Sequence, residues 1–280
     1  MFIIDYHVHS EASFDCDQPA SIKNILKTAA DNNIKQVAIC DHYDVNWVID
    51  GSNPKINFKN QREQIAQAKR ELSCDTEILL GVELGQPHQS PESDAHARVL
   101  LRENNFDYVL CALHNNRGEP DFYYMDYKPE NKVELEKMFE RYSRELCELA
   151  EWHKFHALAH LDYPMRYFKI NKIDIDANKY YDLYREVFKI IIRRGIALEI
   201  NTSGLRKENF GETMPSFDLL KIYKDMGGEL LVMGSDSHSA EQLANAPEHF
   251  ILIYAKLQEL GFRYTSVIRD KKFEQVKIEL

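Results

Sequence analysis

Phe2-Ile3-Ile4-Asp5-Tyr6-His7-Val8-His9 stands near the start of the chain, and its reading decides the fold. An apolar start with two adjacent isoleucines reads as a buried strand. The strand runs into a histidine, a valine and a second histidine. Side chains alternate along extended backbone, so His7 and His9 point to the same face. Six further short apolar runs lie at 36–40, 78–82, 108–112, 157–159, 196–200 and 230–233, each bounded by polar or glycine positions. The residues at the C-terminal ends of these runs are chemically alike. The second run leads to Asp41-His42, the third to Glu83, the fourth to His114 and the fifth to His160-Leu161-Asp162. The sixth ends in Glu199 and Asn201, and the seventh leads to Asp236-Ser237-His238. Every candidate strand delivers a polar or metal-competent residue at its C-terminal end.

Between these runs the apolar period changes from two to 3.6. Ile22, Ile25, Leu26, Ala29 and Ala30 form one helical face. Leu135, Met138, Phe139, Tyr142, Leu146 and Leu149 form a second, and Tyr180, Leu183, Tyr184, Val187, Ile190 and Ile191 a third. Weaker patterns place helices at about 59–73, 92–104, 216–226 and 249–260. Strands alternating with helices define an α/β chain, either an open doubly wound sheet or a (β/α) barrel. Seven candidate strands favour the barrel. No linker, repeat or low-complexity run divides the sequence, so a single domain over 1–280 is expected. In a barrel the C-terminal strand ends converge on one face, and residues far apart in sequence share one pocket.

Composition narrows the function. The 280 residues are 44% hydrophobic and 29% charged, with a net charge of −10, which excludes disorder and argues against a general nucleic-acid or anionic-membrane binder. Any bound phosphate must be held by local positive charge. The sequence has no basic-then-apolar leader, and no run approaches the roughly 18 apolar residues of a membrane span, so a cytoplasmic protein is expected. The five cysteines (Cys16, Cys40, Cys74, Cys111, Cys147) are scattered without a C-x-x-C pair, which predicts reduced thiols rather than disulfides or a thiolate zinc site.

The remaining donors are imidazoles and carboxylates, a set suited to zinc, manganese or iron and larger than one ion needs. One histidine after a strand is more often a hydrogen-bonded structural residue than a ligand, and His-x-His is weak alone. Six of the eleven histidines (His7, His9, His42, His114, His160, His238) fall at strand ends, which outweighs that reading. His88, His96, His153, His156 and His249 do not, and are read as surface or packing residues. Glu83 alone is as easily a strand cap as a ligand, yet a carboxylate is what two cations need as a bridge. G-x-G-x-x-G, the P-loop motif and H-E-x-x-H are all missing.

These motifs in this order resemble the PHP (polymerase and histidinol phosphatase) family, and within it the monofunctional histidinol-phosphate phosphatases. The matching stretches are His7-Val8-His9-Ser10-Glu11-Ala12-Ser13-Phe14-Asp15, Cys40-Asp41-His42, Gly81-Val82-Glu83, Leu113-His114 and Ala159-His160-Leu161-Asp162 with Arg166 after it. Glu199-Ile200-Asn201-Thr202-Ser203-Gly204-Leu205-Arg206 and Gly234-Ser235-Asp236-Ser237-His238 complete the set, spanning most of the chain. The resemblance implies a distorted (β/α)7 TIM-like barrel, a metal-binding phosphatase of histidine biosynthesis and a trinuclear centre of divalent ions. Carried over, one ion takes His7, His9, Glu83 and Asp236; a second takes Glu83 as bridge with His114 and His160; a third takes Asp15, His42 and His238. Many relatives have histidine where Asp15 stands, which makes the third site harder and favours manganese or iron, with Asp17 as a competitor.

The implied reaction is hydrolysis of the phosphomonoester L-histidinol phosphate to L-histidinol and phosphate. Arg206, Arg166 and Arg117 are candidate phosphate clamps, since a guanidinium forks two donors onto phosphate. The first two rank higher because each closely follows a site strand. Asp162, beside His160, either protonates the leaving alkoxide or orients a ligand. Two rivals stand beside this reading: a PHP phosphoesterase for another small phosphate ester or nucleotide, and a catalytically silent metal-binding module.

Overall fold

The computed structural model describes residues 2–16, 20–45, 56–206 and 209–280. The chain alternates β1 (Ile3–Val8), α1 (Ile22–Asp31), β2 (Ile34–Ile39), β3 (His42–Asp44), α2 (Phe58–Leu72), β4 (Glu77–Leu80), β5 (Glu83–Gly85) and α3 (Pro91–Asn104). It continues with β6 (Leu110–Ala112), α4 (Lys132–Trp152), β7 (Ala157–Leu158), α5 (Met165–Ile170), α6 (Tyr181–Arg194), β8 (Ala197–Asn201), α7 (Phe217–Asp225), β9 (Leu231–Gly234) and α8 (Ala240–Glu259). A hairpin, β10 (Tyr264–Arg269) and β11 (Lys272–Lys277), ends it.

Local chemistry explains the helix boundaries. Ser21, Ser90 and Ser239 cap α1, α3 and α8 by accepting a backbone N–H in the first turn, and Pro91 begins α3, where its missing donor costs nothing. Gly195 closes α6 in the left-handed conformation. Of the stripes predicted for α1 and α6, Ile22, Ile25, Leu26 and Ala29 on α1 and Tyr184, Val187 and Ile191 on α6 are buried, while Ala30, Leu183 and Ile190 are half-buried and Phe188, outside the predicted stripe, is buried with them.

Strands β1, β2 and β4 pair in parallel, as do β3, β5, β6, β7, β8 and β9 in that order. The two sheets share their strands. Residues 34–44 form one extended segment bent at Cys40-Asp41, and 77–85 another bent at Gly81-Val82. Hydrogen bonds cross both bends: Cys40 N–H donates to Val8 O (2.8 Å), Gly81 N–H to Ile39 O (2.8 Å) and Glu83 N–H to Asp41 O (3.2 Å). At the other side a parallel bridge joins Val8 to Ser237, with His9 N–H donating to Ser237 O at 2.9 Å. The neighbours therefore run round seven parallel strand positions and return to β1, a barrel as the seven apolar runs favour and distorted as the family resemblance implies. The bends turn the C-terminal halves of two strands toward the barrel mouth, and those halves carry His42 and Glu83.

The interior is rich in aromatics: Tyr6, Tyr108, Phe139, Tyr142, Phe168 and Tyr184 are almost wholly buried. Below, the β10–β11 hairpin docks through Ile268, whose N–H donates to Tyr6 Oη (2.6 Å) and whose carbonyl accepts from Gln36 Nε2 (2.8 Å). Among the described residues, no helix is long and apolar enough to cross a membrane. None of the five cysteines forms a disulfide.

Candidate metal centre

Glu83 stands at the middle of the barrel mouth, fully buried, with a different set of histidines at each oxygen. Oε2 lies 2.8 Å from His42 Nδ1, 3.3 Å from His7 Nε2 and 3.7 Å from His9 Nε2. Oε1 lies 2.9 Å from His160 Nε2 and 3.2 Å from His114 Nε2. Asp236, in a left-handed conformation just after β9, places Oδ1 3.4 Å from His9 Nε2 and 3.7 Å from His7 Nε2. Asp15, on the loop after β1, places Oδ2 3.1 Å from His238 Nε2 and 3.4 Å from His42 Nε2. The eight strand-end donors read from the sequence, and Asp15, which the family resemblance adds, are thus together. Asp17 lies outside the described residues.

An outer ring decides which imidazole nitrogen faces inward. His7 Nδ1–H donates to Glu199 Oε1 at 2.6 Å, and His114 Nδ1–H donates to Asp44 Oδ1 at 3.0 Å. Ser13 Oγ–H donates to Asp41 Oδ1 (3.0 Å), so toward His9 the hydroxyl acts as an acceptor and receives Nδ1–H at 3.1 Å. His238 Nδ1–H donates to the Asp236 carbonyl at 3.0 Å. With Nδ1 engaged, all four rings turn Nε2 toward the carboxylates, the second layer of support typical of metal-binding histidines. Two glycines make room for this ring. A Cβ on Gly234 would meet Glu199 Oε1 at 2.1 Å, and one on Gly85 would meet Asp44 Oδ1 at 1.5 Å.

Nε2 atoms packed this closely against carboxylate oxygens need positive charge between them, a proton when no ion is bound and a metal cation when one is. Two ligands each about 2.1 Å from an ion lie roughly 3.0–3.4 Å apart, the range of most of these separations. Nε2 of His7, His9 and His238 and Oε2 of Glu83 are buried and have no hydrogen-bond partner among the described residues. The donor set fits divalent cations. Four groups can each hold one: His7, His9 and Asp236; His7, Glu83 and His160; His9, His42 and His238; and His42, Asp44 and His114.

Protonation follows the same arrangement. Burial presses the imidazoles of His7, His42 and His114 down, but the carboxylates facing them prevail; His7 and His42 are held well above 6.5 and His114 is raised to about 10. Burial likewise opposes ionisation of Glu83 and Asp236, yet the surrounding histidines hold both well below the usual carboxylate range. His9, desolvated and then opposed by His238 and His42, is pushed well down. Such an array gathers positive charge.

The other residues singled out in the sequence divide. Arg166, on α5, lies with its guanidinium 5.4 Å from the Tyr163 ring centre and 5.7 Å from that of Tyr167, within the electrostatic reach of Asp236 and Asp121. Arg206 donates from Nη2 to the carbonyls of Ser235 and Asp236, both at 2.5 Å, bracing the turn that carries Asp236. Arg117 donates to Gln89 O (2.8 Å) and pairs with Glu148 (2.7 Å) in a separate groove beside α3. Asp162 accepts Ser216 N–H at 3.3 Å, and burial raises its carboxyl to about 7. In the sequence Glu199 and Asn201 read as strand-end polar groups without a role. Asp41 and Ser13 fall within the quoted motifs without a role assigned to them, and Asp44 carries no sequence signal beyond proximity to His42.

A parallel barrel whose mouth gathers histidines and carboxylates around one shared glutamate defines a metal-binding protein of the TIM-like class, built to hold ions between strand ends. The chain matches the model of the PHP domain over residues 5–203 and belongs to that family. It is 28% identical over 278 residues, 99% of this chain and 100% of the relative, to a probable histidinol-phosphatase of Thermotoga maritima. A probable histidinol-phosphatase of Clostridium acetobutylicum is also 28% identical, over 86% of this chain and 88% of that protein. Among solved structures, the fold matches a histidinol phosphate phosphatase of Lactococcus lactis, crystallised with zinc, L-histidinol and phosphate. Its TM-score is 0.74 at 19% identity, covering 97% of this chain and 98% of that one.

Proposed function

We propose that this chain is a metal-dependent phosphomonoesterase that hydrolyses L-histidinol phosphate to L-histidinol and phosphate. The relatives' names supply the substrate, and Glu83, with separate histidine groups on its two oxygens, carries the reading as a bridge between cations. One ion is assigned to His7, His9, Glu83 and Asp236, a second to Glu83, His114 and His160, and a third to Asp15, His42 and His238. Zinc, manganese and iron all suit these donors. The residues form one domain over 1–280, and cysteines without a disulfide fit the reducing cytoplasm.

When bound, such ions lower the pKa of water and neutralise charge on phosphoryl oxygens. The protein's own groups set the geometry. Glu199, Asp44, Ser13 and the Asp236 carbonyl hold four imidazoles in the tautomer that offers Nε2. Arg166, over the Tyr163 and Tyr167 rings, supplies cationic donors for the phosphoryl group, and Arg206 keeps Asp236 in place. Hydrolysis breaks the ester P–O bond, joins water oxygen to phosphorus and returns a proton to the departing alcohol. Asp162 is assigned a positioning role, tying the turn after His160 to the start of α7 at Ser216. Phosphate release from histidinol phosphate, abolished by chelation and restored by manganese or zinc, is the expected result. Purified protein with ample metal that holds less than one equivalent, or releases no phosphate, refutes the reading.

A further inference from the structure

The three ion positions differ in how firmly the chain builds them. Donors assigned to the first two come from strands or from the two residues after them, and their side chains are at most 10% exposed. The third position depends on Asp15, well out in the loop after β1. Its side chain is 36% exposed, against 13% for His42 and 20% for His238. The loop's own backbone bonds are local: Ser13 N–H donates to Ser10 O at 3.0 Å, Cys16 N–H to Ser13 O at 3.3 Å and Glu11 N–H to Ala20 O at 3.0 Å. Cys16 Sγ–H, a weak donor, adds a bond to the His238 carbonyl at 2.8 Å. Local turns set the loop's shape, but something else must set its place.

Asp41, fully buried at the bend between β2 and β3, does so. Its Oδ1 accepts Ser10 N–H at 2.6 Å and Ser13 Oγ–H at 3.0 Å, while Oδ2 accepts Ser10 Oγ–H at 2.7 Å and the side-chain amide of Gln61 from α2. Bonds to a charged acceptor are the stronger kind, and four converge here. Ser13 Oγ also accepts His42 N–H at 3.2 Å. The loop that carries Asp15 and the strand that carries His42 are therefore tied at one point. Asp41 itself faces no imidazole nitrogen among the described residues, so it acts only through what it holds.

We infer that Asp41 is the positioning residue of the third ion: by anchoring Ser10 and Ser13 it delivers Asp15 to His42 and His238, and without it that ion alone is lost. This inference rests on the three-ion arrangement proposed above and adds what controls the occupancy of one position. The first ion survives the loss of Asp41 because His7, Glu83 and Asp236 are held by other partners, even where Ser13 no longer steadies His9. The second, on Glu83, His114 and His160, has no contact with the loop. Selectivity for one ion of three is what separates this role from general support of the fold.

The test equilibrates manganese- or zinc-loaded wild type, Asp41→Ala and Asp41→Asn with graded chelator and counts bound ions per chain by elemental analysis, which needs no turnover. Asp41→Ala should hold one of three ions about 10- to 100-fold more weakly and the other two within about 3-fold of wild type. Asp41→Asn should recover most of the loss. Its oxygen still serves Ser10 N–H and Ser13 Oγ–H, and the new NH2 finds acceptors when the Ser10 hydroxyl and the Gln61 amide turn, since Gln61 Oε1 has no partner among the described residues. Equal weakening of all three ions, no weakening, or an Asn variant as defective as Ala overturns the inference. If Asp41→Ala loses the native far-UV circular dichroism, Ser10→Ala carries the test. It removes one bond to Oδ2, keeps the N–H bond and should weaken the same single ion by about 3- to 10-fold; an unchanged third ion overturns the inference. A wild type that never takes up a third equivalent refutes the three-ion arrangement itself, whereas a three-ion wild type with an unselective variant refutes only the role of Asp41.

Discussion

Glu199→Gln is a nearly isosteric change at a residue that touches no ion in the proposed arrangement, which makes its consequence diagnostic. The carboxylate accepts His7 Nδ1–H at 2.6 Å on Oε1, and His160 N–H at 2.7 Å and the Asn201 amide at 3.3 Å on Oε2. Glutamine offers one acceptor and one donor. Two donors already converge on the Oε2 side, so the amide NH2 turns toward His7. Two N–H groups cannot face each other at 2.6 Å, and His7 is driven to the other tautomer, with its proton on Nε2. The lone pair that faced Glu83 and Asp236 is then lost. Disrupting such outer partners typically costs about 10- to 100-fold in metal affinity, or about 1.4–2.7 kcal/mol. Competition against a chromophoric chelator measures this directly, and phosphate release at limiting metal should fall in parallel. Gly234→Ala, whose Cβ would meet Glu199 Oε1 at 2.1 Å, should reproduce the defect from the opposite side. A Glu199→Gln protein with wild-type metal affinity and kcat/KM would refute the tautomer argument.

Glu83→Gln should lower kcat by on the order of 100-fold or more while far-UV circular dichroism shows the fold intact, because a neutral amide cannot screen two neighbouring cations; wild-type kcat at full metal content would exclude a bridge. Arg166→Ala should reduce kcat/KM by about 10- to 100-fold and weaken inhibition by inorganic phosphate, whereas Arg117→Ala, whose guanidinium is engaged by Gln89 and Glu148, should change both by less than about 3-fold. The reverse ranking would move the clamp to the groove beside α3. Burial lowers His156 to about 4, and its Nδ1 accepts Val109 N–H at 2.9 Å. Between pH 6.5 and 4 the unfolded chain therefore binds a proton that the folded chain refuses. This contribution is harmless above pH 6.5 and costs up to about 3 kcal/mol as pH falls toward 4. Denaturant unfolding of chelated wild type and His156→Asn across that window should converge at low pH; a constant difference would show that His156 titrates normally.

The site is more legible in the sequence than its support. Metal-facing residues announce themselves because each follows a local apolar run, and a barrel brings all such ends together whatever their separation. The outer ring has no comparable signal. Asp44 is two residues from His42 and reads as a polar loop residue until the bend at Cys40-Asp41 lays β3 beside β5 and brings it to His114. Glu199 is visible as a strand end, but its distance from His7, 192 positions along the chain, hides the partnership. The same bends explain why His42 and Glu83 lie inside short strands β3 and β5 rather than after longer ones. Among helices, the weak pattern at 249–260 is the second half of α8. Pro247 interrupts the apolar period and disguises the first half, although the chain remains helical through it from Ala240. The hairpin β10–β11 leaves little trace in the sequence because β11 alternates without burying a full face.

The bridge from Val8 to Ser237 joins the chain's first strand to the turn after its last parallel one, and the donors His7, His9 and Asp236 sit directly above that seam. An ion held there is a removable clasp across the place where the ring of strands must shut. The unfolded chain scatters those donors over more than two hundred positions, so the ion recognises only the closed ring. Its free concentration then sets how firmly the seam holds, with each tenfold rise above the dissociation constant adding about 1.4 kcal/mol to the folded state. Heat tolerance in this molecule would thus be governed in part by the medium's supply of metal, and fraying under chelation should begin where β1 meets the turn after β9.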